Sequence, residues 1–166
     1  MNFEMYDHRN GGRSVGMAER MGIENVIESL EPPYGKLEPR EVTGPILEAL
    51  GKLGWSGQVL VGQGTKIAIT SMHSDVGLAV QFGNISRIYA DLLKLQTLYI
   101  EEKISSAIII VPHRDLLGRL SSSGKTDNRC SYDRVIREMP VFAKVITVPT
   151  LIYGVFPEED KDARDK

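Results

Sequence analysis

An α/β fold, with a mixed sheet flanked by helices, is what three stretches of this chain predict. Val76, Leu78, Val80 and Phe82 alternate with Asp75, Gly77, Ala79 and Gln81. That period of two reads as a strand over 75–82, because successive side chains of an extended chain point to opposite faces. Ile88, Leu92, Leu95 and Tyr99 recur at helical spacing, and Leu93 and Leu98 widen the stripe, so 86–101 reads as a long amphipathic helix. Residues 104–111, mostly Ile and Ala, have the composition of a strand covered on both faces. With a strand over 66–70 forming a hairpin with 75–82, the order is hairpin, helix, buried strand, helix, strand.

The remaining elements follow in chain order. Residues 1–15 are polar, rich in Gly, Arg and Asn, and without period; they read as a flexible arm. Met17, Met21, Ile23, Val26, Ile27 and Leu30 predict a helix over 17–30, stopped by Pro32, Pro33 and Gly35. Val42, Ile46, Leu47, Leu50 and Leu53 share a face of a second helix, closed by Gly54. Residues 58–64 suggest a short strand and turn, and 71–74 turn the chain into the strand at 75. Pro112 ends the buried strand, 115–120 suggest a helical turn, and 121–129 form a polar loop. A helix over 132–139 is ended by Pro140, and 144–155 alternate enough for a strand. Residues 157–166 are almost wholly charged and read as a disordered tail, leaving one domain over 16–156.

Composition narrows the class. At 166 residues, with 42% hydrophobic and 25% charged residues, the chain is an ordinary single domain able to bury a core. No apolar run approaches the length of a membrane span, and no secretory signal opens the chain. The single cysteine, Cys130, excludes an internal disulfide and a Cys-based zinc site and points to a reducing, cytoplasmic setting. A formal charge of −2 means that any nucleic-acid surface has to be a local basic patch. Ser121 to Thr126 echo a phosphate loop, but Arg119 stands where the first Gly of that motif belongs, which removes nucleotide binding.

Several short matches, in order and spacing, carry a family resemblance. They are Val80-Gln81-Phe82-Gly83-Asn84, the helix 86–101, Ala107-Ile108-Ile109-Ile110-Val111, Asp127 to Tyr132, and Val148 to Gly154. Over roughly residues 60–155 the chain resembles the BglII/BstYI type II restriction endonucleases of the PD-(D/E)XK group. The resemblance implies that group's mixed α/β core and a Mg²⁺-dependent nuclease that cuts palindromic duplex DNA with a GATC core as a homodimer. A palindrome presents two identical half-sites, which a two-fold protein matches. It also implies an Asp in the first strand of the hairpin and a Glu in the second as metal ligands. Carried over, these fall on Ala68 and Ala79, with Gln81 as the third catalytic position. Two carboxylates suit the task because Mg²⁺ takes oxygen ligands and offsets charge on the phosphate in flight.

The chain departs from that pattern at both acids. Two acid-to-alanine replacements, an active-site mutant that holds DNA uncut, account for this; so does a native chain that never had the acids. The first reading is favoured here, since both losses are to Ala with nothing nearby degenerated. Asp75 shares the face of Gln81 and is either a turn residue or a substitute ligand. Gln81 is either a polar residue at the sheet edge or the group that orients water or metal.

Asn84 fits a helix N-cap and a DNA contact equally. Lys125, Asn128, Arg129 and Ser131 lie in the segment that the resemblance places at the major groove, where Arg can pair guanine and Asn adenine. An ordinary solvated loop is the alternative there. Cys130 reads as a small filler rather than a nucleophile. Two rivals to the nuclease stand: a natural non-catalytic DNA-binding protein of the same fold, and a small α/β protein-interaction module with no DNA role.

Overall fold

The structure, a computed structural model, describes residues 1–32, 35–120 and 128–158. Its centre is a five-stranded mixed sheet in the order β1 (Asn2–His8), β7 (Thr150–Phe156), β6 (Ser106–Pro112), β5 (Val76–Val80), β4 (Ser71–His73). The three inner strands, β5, β6 and β7, run parallel, with Leu78 opposite Ile108 and Ile109 opposite Ile152. The edges are antiparallel: β1 pairs with β7, and β4 pairs with β5. A separate two-stranded ribbon joins β2 (Val59–Leu60) to β3 (Ala68–Ile69).

Each face of the sheet has its own core. On one side, α2 (Met17–Glu28) and α3 (Pro39–Lys52) bring Ile23, Ile27, Ile46 and Leu50 against Leu78, Ile108, Ile110 and Tyr153. On the other, α4 (Ile85–Ile100) and α6 (Tyr132–Phe142) bring Ile88, Leu92, Leu95 and Val135 against Ala79, Ala107, Ile109 and Ile152. Two-sided cover is the reason the inner strands read as continuous apolar runs. Two one-turn helices, α1 (Gly11–Ser14) and α5 (Arg114–Leu117), complete the set.

The expected flexible arm is instead structured. Residues 2–8 form the edge strand β1 and residues 11–14 form α1, so the 1–15 boundary is corrected. An edge strand is held by backbone bonds to one neighbour, and here its side chains are mostly half-buried or exposed, so no period of two shows in the sequence. Phe3 anchors it edge-on to Tyr153 with ring centroids 5.3 Å apart. The strand expected over 144–155 is shorter at its start. Residues 144–149 lead in as irregular chain, and the buried Gln96 satisfies them: its Oε1 accepts from the N–H of Thr147 (2.6 Å) and Val148 (2.9 Å). Pro140 lies inside α6 and does not end it. Of the charged tail, 159–166 lies outside the described residues.

Glycine positions separate forced from permitted ones. A Cβ on Gly11 would stand 2.3 Å from the carbonyl carbon of Thr150, backbone that cannot move aside. A Cβ on Gly44, inside α3, meets nothing within 4 Å. Gly11→Ala is therefore expected to destabilise by at least about 1–3 kcal/mol. Gly44→Ala should stabilise by roughly 0.5–1 kcal/mol through helix propensity. Chemical denaturation of the two variants, with opposite signs, checks the packing of α1 on β7.

Candidate functional site

Parallel strands end on the same side of a sheet, and here that side brings together Gln81, Asn84 and the 128–131 segment. Beyond β5 the chain passes through Gln81, Phe82, Gly83 and Asn84 into α4. The N–H of Gln81 donates to Ile110 O (2.9 Å), which keeps it beside β6. The 128–131 segment comes alongside: Cys130 N donates to Gly83 O (2.9 Å), and Asn84 and Arg129 form an isolated antiparallel bridge. The two sequence clusters, 81–84 and 128–131, thus meet although the whole of α4 and β6 separates them in the chain.

Within this site several side chains have local duties. Asn84 caps α4, its Oδ1 accepting from Ser86 N at 2.8 Å, and its residue remains exposed. Ser131 caps α6 by accepting from Arg134 N at 3.4 Å. Arg129, expected to read bases, is half-buried, and its Nη1 donates to Leu117 O (2.9 Å) and Leu120 O (3.0 Å). That guanidinium staples the turn after α5. Asn128 is exposed beside it, and Lys125 lies outside the described residues. Cys130 is fully buried, and burial pushes its thiol up to about 12, so it stays protonated and inert.

The hairpin departs from the expected geometry. Ala79 is completely buried under α4, among Ile69, Ile88 and Leu95. Ala68 is in the β2–β3 ribbon, opposite Leu60, and not in the sheet that holds Ala79. The residue that meets the Ala79 segment is Thr70. The β4–β5 register (Ser71 opposite Leu78, Met72 opposite Gly77) leads to it. Thr70 N donates to Leu78 O (3.1 Å), and Thr70 Oγ1 accepts from Val80 N (3.1 Å). Asp75 is an exposed turn residue next to Ser74, whose φ is +51°. Six residues of strand put it about 20 Å from Gln81, too far to share a ligand with it.

Two residues missed in the sequence complete the site. Gln81 Nε2 donates to Asp91 Oδ2 (3.2 Å), and Lys94 Nζ donates to Asp91 Oδ1 (2.8 Å). Gln81 Oε1 is taken by Gly83 N (2.9 Å). Asp91 is 8% exposed, on the buried stripe of α4. The signal was present: position 91 stands three residues after Ile88 and four before Leu95, so a carboxylate there is buried and needs a partner, which Lys94 supplies at i+3.

The donor set does not fit a divalent ion. Ala79 offers no donor, and Thr70 Oγ1 is engaged by backbone. Gln81 Oε1 and both oxygens of Asp91 are engaged, and Lys94 already neutralises that carboxylate. Among the described residues no group of three or more His, Cys, Asp or Glu is placed to hold a metal ion.

Sheet order, flanking helices and the hairpin–helix junction define a restriction-endonuclease-like fold. The family model for restriction endonuclease BglII/BglIII matches residues 3–155, and the chain belongs to that family, whose members are type II deoxyribonucleases. The chain is similar to BglII complexed with a DNA 16-mer: 16% identity, TM-score 0.80, 97% of this chain and 81% of that one. It is similar also to free BglII: 15% identity, TM-score 0.74, 97% of this chain and 82% of that one. Among curated proteins none matches. No helix of the described residues is long and apolar enough to cross a membrane.

Two predictions follow from the staples around the site. Arg129→Met removes two bonds from a cation to buried-side carbonyls and is expected to cost about 1–3 kcal/mol in denaturant unfolding. A side chain free for base reading would leave stability within about 0.5 kcal/mol. The second prediction concerns Glu138, which holds α6 to α4. The Tyr89 hydroxyl, donating to it, and then Arg134 keep its carboxyl below the usual range. A lowered folded-state value stabilises above the unfolded value, and that contribution is lost as pH falls through the folded one. Glu138→Gln should therefore lower the melting temperature at neutrality, with the difference shrinking as pH falls through the range where the folded-state carboxyl takes up its proton.

Proposed function

We propose that this chain binds duplex DNA in the manner of its family but does not cut it with Mg²⁺. The observation that carries the reading is the β4–β5 hairpin: Thr70 and Ala79 stand where strand and bend meet beside Gln81, and neither is an acid. Without paired carboxylates a divalent ion has no charged anchor there. The family membership and the likeness to a DNA-bound fold support the partner; the emptied ligand positions support the loss of chemistry. Thr at one position removes the argument from a matched pair of alanines, so the chain is read as a native, non-catalytic DNA-binding protein rather than an active-site mutant.

The target proposed is the family's class, a palindrome with a GATC core, bound by a homodimer. Exposed Met17, Met21 and Leu53 form an apolar strip over α2 and the end of α3 that supports this face as the interface between copies. Asn84 and Asn128, both exposed at the junction, are the candidates for contact with DNA. Arg129 positions that junction from behind.

The test is a gel-shift and cleavage series on GATC-containing and random duplexes. The protein should shift the GATC duplex, one duplex per two chains, with no cut strands in Mg²⁺. Thr70→Asp with Ala79→Glu should introduce Mg²⁺-dependent cutting, whereas Ala68→Asp with Ala79→Glu should not. Cleavage by the unaltered chain, abolished by Asp91→Asn, would contradict the reading; failure to bind any duplex would favour the interaction-module alternative.

A further inference from the structure

The disagreement between this donor set and a divalent ion has an electrostatic consequence. Two carboxylates at a phosphate-binding site repel a phosphate until a divalent cation neutralises them. In this chain both positions are neutral, Thr70 and Ala79, and so is Gln81. The carboxylate that meets Gln81, Asp91, is bonded by Lys94 at 2.8 Å, and the Lys94 side chain is 25% exposed. An ammonium has three donors, and Asp91 takes one of them.

A second cation stands nearby. Arg87, one turn before Asp91 on the same side of α4, is exposed and makes no ion pair among the described residues. Its Nη1 would lie 3.6 Å from a Cβ on Gly83, and Gln81 Oε1 would lie 3.0 Å from the same point. The Arg87 guanidinium thus lies over the Gln81–Gly83 turn, at ordinary contact distance from it. Arg87, Lys94 and Asp91 together carry a net charge of +1.

We infer that this site takes a DNA backbone phosphate directly, with Lys94 and Arg87 standing in for the divalent ion. Asp91 is the positioning residue: tied to Gln81 on the strand, it aims Lys94 at the hairpin from the helix. Phosphate binding here is then independent of metal. The inference rests on the DNA-binding reading above and goes beyond it by assigning the charges.

The experiment is fluorescence anisotropy of the intact protein on a labelled GATC duplex in EDTA, across a range of monovalent salt. Unaltered protein should bind in EDTA, and Mg²⁺ should loosen binding by competing for phosphates, not tighten it. Lys94→Met and Arg87→Met should each reduce the slope of log affinity against log salt by about 0.9, which is about a 3.5-fold change between 50 and 200 mM. Lys94→Arg should keep the slope.

A merely structural role for Lys94 would lower affinity at every salt concentration and leave the slope unchanged. If Lys94→Met does not fold, the exposed Arg87→Met and the charge-keeping Lys94→Arg still decide the matter. Unchanged slopes in both Met variants, or binding that needs Mg²⁺, overturn the inference while DNA binding stands. No binding to any duplex overturns both.

Discussion

Asp91 is a negative charge on the buried face of α4, and what neutralises it governs the rest of the site. A carboxylate taken from water needs an opposite charge and hydrogen bonds for both oxygens. Lys94 supplies the charge, and the amide of Gln81 supplies the second bond. The same amide closes on Gly83 N through its oxygen. Strand end, turn and helix are therefore locked by one short chain of bonds, and Asn84 follows it as the cap that starts α4. Breaking this network by removing one member would leave a polar group uncompensated, so its parts stand together.

The sheet explains why the network is where it is. Gly77, Ala79 and Gln81 face α4, while Val76, Leu78 and Val80 belong to the opposite side. Gly77 is small because a Cβ there would come within 2.8 Å of Leu95 and 3.0 Å of Ile104. Ala79 is small and wholly covered. Only at Gln81, where the strand leaves the sheet, does that face open far enough to hold a polar group. The 128–131 segment then docks on the outer side through Gly83 O. A site built at the carboxyl ends of parallel strands follows the general behaviour of α/β sheets.

Much of this was legible in the residues. Periodicity gave β5, α4 and β6 to within a residue or two, because each is long and covered on at least one face. The family resemblance, carried by Val80 to Asn84 and the run 107–111, agrees with the fold and the family model. What was not legible depends on register and on edges. The family resemblance puts the acid position at Ala68, but β3 and β4 are separate elements that part at Thr70, and only pairing with β5 shows which residue meets Ala79. Strand β1 lacks the alternation of a buried strand because an edge is held by backbone bonds. Arg129 has the chemistry of a base reader, but the carbonyls of Leu117 and Leu120 claim it, and no sequence rule foresees that. Asp91 was legible in principle, as a charge inside an apolar stripe.

In the proposal above, this member of a nuclease family holds phosphate with fixed side-chain charge in place of a metal. That reading is tested most directly by titrating Mn²⁺, as a spectroscopic substitute for Mg²⁺, into the protein–duplex complex and counting bound ions by electron paramagnetic resonance. No ion is expected to bind beyond the number that the same duplex holds alone. Saturable uptake of one or more further ions per chain, lost on Asp91→Asn, would contradict it.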